Sequence, residues 1–167
     1  MTKLERLTTE YIDVEDRIRL SGLVENTSPI VIWVTFRLLQ RLVPPLLQWL
    51  ERQGPGADLP RADVLQSFAQ HAARAEVVPQ APVRATPDSA AWLARSVDFT
   101  KFDQAVRLTF RGAEGQEAAM VLAPKLLRQW LGIIHDGYIK AAWPLDVWPG
   151  WLRESSPPKD PKMLVLH

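Results

Sequence analysis

The chain contains no cysteine among its 167 residues. That excludes disulfides, thiolate nucleophiles and thiolate metal sites, and it fits a reducing compartment. Histidine is scarce as well. His71, His135 and His167 share no ligand spacing with one another or with acids, so no metal, cofactor or acid–base pair is expected from them. No serine lies in a nucleophile-elbow context, which leaves no catalytic constellation to propose. Excess charge of one sign is also missing: Lys+Arg number 20 against Asp+Glu 19, a net charge of +1 at pH 7. A protein that grips nucleic acid by neutralising phosphates usually carries a clear basic excess. The longest apolar run, Ile30 to Val34, is far too short to cross a bilayer. The opening Met1-Thr2-Lys3-Leu4-Glu5-Arg6 lacks the apolar stretch of a signal peptide. A cytoplasmic protein with no membrane partner is the expectation.

What is present is a pattern that occurs twice, at a constant spacing of 88 positions. Ile18-Arg19-Leu20-Ser21 falls on Val106-Arg107-Leu108-Thr109, and Arg37 to Val43 falls on Lys125 to Leu131. Upstream, Tyr11 falls on Phe99 and Val14 on Phe102. A spacing kept through strands, turns and a helix marks an internal repeat.

Each repeat reads as three strands and a helix. In the first, residues 8–14 form a strand, and residues 17–23 alternate with Ile18 and Leu20 on one face. Period two is the signature of a half-buried strand. Residues 30–34 are apolar throughout, as in a strand covered on both faces. In the second repeat the strands are 97–102, 106–110 and 118–122, with Gly112-Ala113-Glu114-Gly115 as the tight turn.

The first helix, from Arg37, carries Leu38, Leu39, Leu42, Leu46, Trp49 and Leu50 on one stripe. Pro44-Pro45 predicts a kink or restart near Val43, because proline lacks the helical N–H. The second helix, with Pro124 in its first turn, turns Leu127, Trp130, Leu131, Ile134 and Tyr138 inward. Lys125, Arg128, Gln129, Gly132 and Asp136 are expected outward, with His135 at the boundary. Ile32, Val34, Leu39 and Leu42 are expected to share a core with Met120, Leu122, Leu127 and Trp130.

Between the repeats a weaker helix runs from about 60 to 75, with Val64, Leu65, Phe68 and Ala72 on one side. Residues 77–87 are proline-rich and extended, and Asp88 or Ser89 caps a short helix over 90–95. The fold class is therefore α+β: internally duplicated βββα units related by a pseudo-twofold, with helices packed on the sheet. One domain spans 1–152. Its repeats cover about 7–53 and 95–142, with a helical, proline-rich insert at 54–94, a tryptophan-rich wrap at 143–152 and a flexible tail at 153–167. Duplicated sheet-then-helix units resemble in outline the Whirly and PUR-repeat single-strand binders. Those carry four strands per unit where three are counted here, and no residue motif transfers.

Two sets of candidate binding residues stand out. Trp143, Trp148 and Trp151 either cover the core or anchor a protein partner. Arg37, Arg41, Lys125 and Arg128 form a mildly basic helix face that would attract an anion or nucleic acid. The first reading is a non-enzymatic protein-interaction module, with self-association as a homo-oligomer such as a homodimer left open. The second is a nucleic-acid-binding domain using the basic helix face or the sheet. Small-molecule binding or catalysis in a groove between the repeats is third.

Overall fold

In the computed structural model, residues 2–53 and 60–154 are described. β1 (Thr2–Ile12), β2 (Arg17–Val24) and β3 (Ile30–Val34) form an antiparallel meander that leads into α1 (Phe36–Gln53). After α2 (Ala62–Ala75) and the short β4 (Ala91–Leu93), a second meander follows: β5 (Ser96–Lys101), β6 (Val106–Arg111) and β7 (Glu117–Leu122). It leads into α3 (Pro124–Ala141), and one turn, α4 (Gly150–Arg153), closes the described chain. The reversals use residues that tolerate left-handed backbone: Asp16 and Asn26 in the first meander, Gly115 in the second.

All seven strands belong to one mixed sheet, ordered β4-β3-β2-β1-β7-β6-β5. The meanders meet where β1 runs parallel to β7, with Lys3 opposite Ala119. At the other side β4 runs parallel to β3, with Val31 opposite Ala91. The edge strands β4 and β5 are thus separated only by Ala94 and Arg95. The Ala94 N–H donates to the Trp33 carbonyl (2.9 Å) and the Arg95 N–H to the Arg111 carbonyl (2.8 Å). Consecutive residues bonding to opposite sides of one sheet require it to curl.

The helices pack on the sheet face that bears Ile18, Leu20, Ile32, Val34, Val106, Leu108 and Phe110. These side chains share one buried cluster with Leu39, Leu42, Leu46 and Leu50 of α1 and Leu127, Leu131, Ile134 and Tyr138 of α3. Each such side chain contributes about 1.5–3 kcal/mol on burial. The expected core is found, with Leu122 only partly buried against it. On the opposite face the 77–90 stretch crosses the strands. There Val83 is buried, and its N–H donates to Thr8 Oγ1 (2.8 Å).

Four expectations are corrected. The short helix over 90–95 is instead β4, because the Val31 N–H takes the Ala90 carbonyl and extended pairing along β3 outweighs a local cap. α1 is a single helix through Pro44 and Pro45, without a restart. Tyr11 stands opposite Ile18 whereas Phe99 stands opposite Leu108, so the two do not match by register. Thr9 stands opposite Leu20 as Phe99 stands opposite Leu108, a spacing of 90 rather than 88. Finally, the outward face expected for α3 is covered: Arg128 and Gln129 are buried beneath α2. Of the tail expected to be flexible at 153–167, residues 155–167 lie outside the described residues, as do 54–59.

Candidate binding surfaces

α2 sits on α3 by its polar side. Gln70 Nε2 donates to the Arg128 carbonyl (2.8 Å), Gln129 Nε2 donates to the Ala73 carbonyl (2.9 Å), and Arg128 donates to Gln66 Oε1. Arg74 lies over Gly132, where a Cβ would come within 2.9 Å of its guanidinium carbon, and it pairs with Asp136. The buried amide nitrogens are tolerated here because each finds a carbonyl, although Gln70 Oε1 has no partner among the described residues. The consequence for the far side of α2 is direct: Phe68 is 70% exposed and Val64 49%, with Leu65 beside them.

That apolar side opens onto a groove of about 560 Å³ between α2, α4 and the end of α1. Val64, Phe68, Pro149 and Trp151 line it, and its charged rim is Glu51, Asp63 and Glu154. Glu51 also accepts the Trp151 indole N–H (3.2 Å), which fixes the ring.

A smaller cleft, about 240 Å³, lies where α1 begins beside the end of β4. Thr35, Leu38, Leu93 and Ala94 line it together with Arg37, Arg41 and Arg95. The Leu38 N–H donates to Thr35 Oγ1 (3.2 Å), so the capped first turn of α1 forms one wall. A third cleft, about 230 Å³, lies between β1, β7 and α3, lined by Glu5, Arg6, Leu126, Gln129 and Trp130 among others.

The three tryptophans of the C-terminal segment are all buried. The Trp143 indole donates to Asp16 (3.0 Å) and its ring meets Tyr11, Phe36 and Tyr138 at 5.1–5.5 Å. Trp148 packs edge-on against Tyr138 and His135, and the Arg128 guanidinium lies 5.5 Å from the Trp151 ring. Of these rings, only Trp151 borders a groove described above.

The four candidate cations do not form one face. Arg37 and Arg41 are exposed together at the α1 cleft. Lys125 pairs with Glu76 at the end of α2. Arg128 is buried, and desolvation pulls its guanidinium down to about 10. His135, expected at a boundary, is buried with neither ring nitrogen bonded. Burial first, then Arg74 and Arg153, pushes it down to about 4. Sequence reasoning passed over Arg95, which the expected 90–95 helix had absorbed. It did identify the Val64, Leu65, Phe68 and Ala72 stripe, without its outward orientation.

Among the described residues no three His, Asp or Glu side chains converge as metal ligands, and no helix is long and apolar enough to cross a membrane. Compared with known proteins, the chain matches no family model, no curated protein and no solved structure.

Proposed function

We propose that this chain is a non-enzymatic protein-interaction module, with the groove between α2 and α4 as its docking surface. The observation that carries the reading is the orientation of α2, which buries Gln66 and Gln70 and turns Val64, Leu65 and Phe68 to solvent. A contiguous apolar patch facing water raises the free energy of the isolated chain, and a covering partner removes that cost. The rim acids Glu51, Asp63 and Glu154 favour a partner segment whose apolar side chains are flanked by lysine or arginine.

Two labelled peptides with the same apolar positions, one flanked by lysine and one by glutamate, test this by fluorescence anisotropy. The lysine-flanked peptide is expected to bind, more weakly at high salt. Phe68→Asp is expected to abolish binding without altering the circular dichroism spectrum or the melting temperature. Equal binding of both peptides, or binding indifferent to Phe68→Asp, overturns the reading. If neither peptide binds but sedimentation shows self-association lost in Phe68→Asp, the occupant is a second copy of the chain rather than a basic segment.

We also infer that the two βββα units derive from one duplicated unit, related by a pseudo-twofold. A shift of 88 turns the pair Lys3–Ala119 into Ala91–Val31, and the pair Ile18–Val34 into Val106–Leu122. The small clefts support it too: Leu38 lines one and Leu126 the other, as do Leu93 and Glu5, and Arg41 and Gln129.

A further inference from the structure

We propose that the cleft at the start of α1 is a binding site for a phosphate monoester, held by Arg37, Arg41 and Arg95. The inference is independent of the α2 groove and rests on charge placement. Three arginines, two on α1 and one in the turn between β4 and β5, line one cleft of about 240 Å³, and among the described residues no Asp or Glu lines it. Among the described residues none of the three is engaged by an ion pair or a side-chain hydrogen bond. Three arginines elsewhere are neutralised at short range: Arg19 by Glu10, Arg74 by Asp136, and Arg111 by Asp98 and Glu117. Like charges gathered without a counter-charge repel, and an anion bound among them relieves that repulsion.

The chemistry of the ligand follows from the site. Guanidinium presents a rigid fork of donors that matches phosphate oxygens bidentately and stays charged at all working pH. Three permanent cations suit a dianionic monoester better than a diester, which carries one charge. The 18-residue α1 starts at the same cleft through Thr35 and adds the positive end of its dipole. Leu38, Leu93 and Ala94 supply an apolar floor. The volume lies below the roughly 300–1,000 Å³ of sites for drug-sized ligands, so a phosphate and a few attached atoms fit.

Isothermal titration of the full chain with inorganic phosphate and with glycerol phosphate tests this. Both are expected to bind one-to-one at pH 7.5. Because a phosphate monoester loses its second proton near pH 6, affinity is expected to fall roughly tenfold by pH 5. Sulfate, dianionic throughout that range, is expected to keep its affinity. Arg95→Gln and Arg37→Gln, at exposed positions, are each expected to weaken phosphate binding about tenfold or more, with unchanged circular dichroism. Absence of one-to-one binding, or affinity unaffected by both substitutions, overturns the proposal. So does tighter binding of an oligonucleotide that bears only internal diesters, which would make the cleft part of a nucleic-acid surface.

Discussion

α1 and α3 enter the fold in the same way, each following the last strand of a meander, yet positions 88 residues apart on them are used in opposite ways. On α3, Lys125 pairs with Glu76 and Gln129 donates to the Ala73 carbonyl, so both hold α2 in place. On α1, the residues 88 positions earlier are Arg37 and Arg41, and at their cleft neither has a side-chain partner among the described residues. The same contrast recurs deeper in the helices. His135 of α3 is a buried imidazole with no hydrogen-bond partner among the described residues, whereas Leu47 of α1, 88 positions earlier, is an ordinary core side chain. The difference teaches that where α2 docks decides what each helix exposes: its polar face covers Arg128 and Gln129 of α3 but reaches α1 only at its last turns, through Gln66, and leaves Arg37 and Arg41 exposed.

The core should be indifferent to that asymmetry. Leu39→Ala and Leu127→Ala are expected to destabilise by about 2–5 kcal/mol each in urea unfolding, since both side chains are fully enclosed. If one cost less than about 1 kcal/mol, the two helices would not be equivalent parts of one core.

Next in size is the difference between Gln129 and Arg41. Gln129→Ala removes a buried hydrogen bond from the α2–α3 contact, leaving the Ala73 carbonyl only the Glu76 N–H, and is expected to cost about 0.5–1.5 kcal/mol. Arg41→Ala, at the exposed corresponding position, is expected to stay within about 0.5 kcal/mol. Equal costs in denaturant titrations would mean that α2 is not what distinguishes the helices.

The contrast at His135 has no effect on stability at neutral pH and emerges only under acid. The folded pKa of His135, about 4, lies below the ordinary 6.5 because burial disfavours the charged ring. The unfolded chain therefore takes up a proton first, and stability should fall as pH drops from about 6.5 towards 4 and then level off. Melting curves across that range should show this loss, and His135→Leu, which reproduces the side chain of position 47, should flatten it. An unchanged slope would assign the acid sensitivity to other groups.

The parts of this architecture that were legible in the sequence are those with a period. Alternation over 17–23 and 106–110 located β2 and β6, and helical stripes located α1 and α3, because a strand or helix must bury a regular face whatever its neighbours. What was not legible depends on a partner element. Gln66 and Gln70 carry no apolar signal, yet their amides bind carbonyls of α1 and α3 and thereby decide which side of α2 is buried. Residues 90–95 have good local capping chemistry, but the unpaired edge of β3 outweighs it. Of the candidate surfaces, Arg37 and Arg41 were readable as an exposed helical pair. Arg128 was misplaced because its burial is imposed by α2 and α4, whose positions no local pattern reveals.

The turn at Ala94 and Arg95 has a further consequence, for what happens when many copies crowd together. A single run of chain that bonds one side of the sheet through β4 and the other through β5 leaves terminal strands of only three and six residues. Fibril growth needs a long, flat template of unpaired amides, and short terminal strands deny it one. Concentrated solutions of this protein should therefore resist cross-β deposition while the native curl persists, and breaking the run at that turn is where such resistance should first be lost.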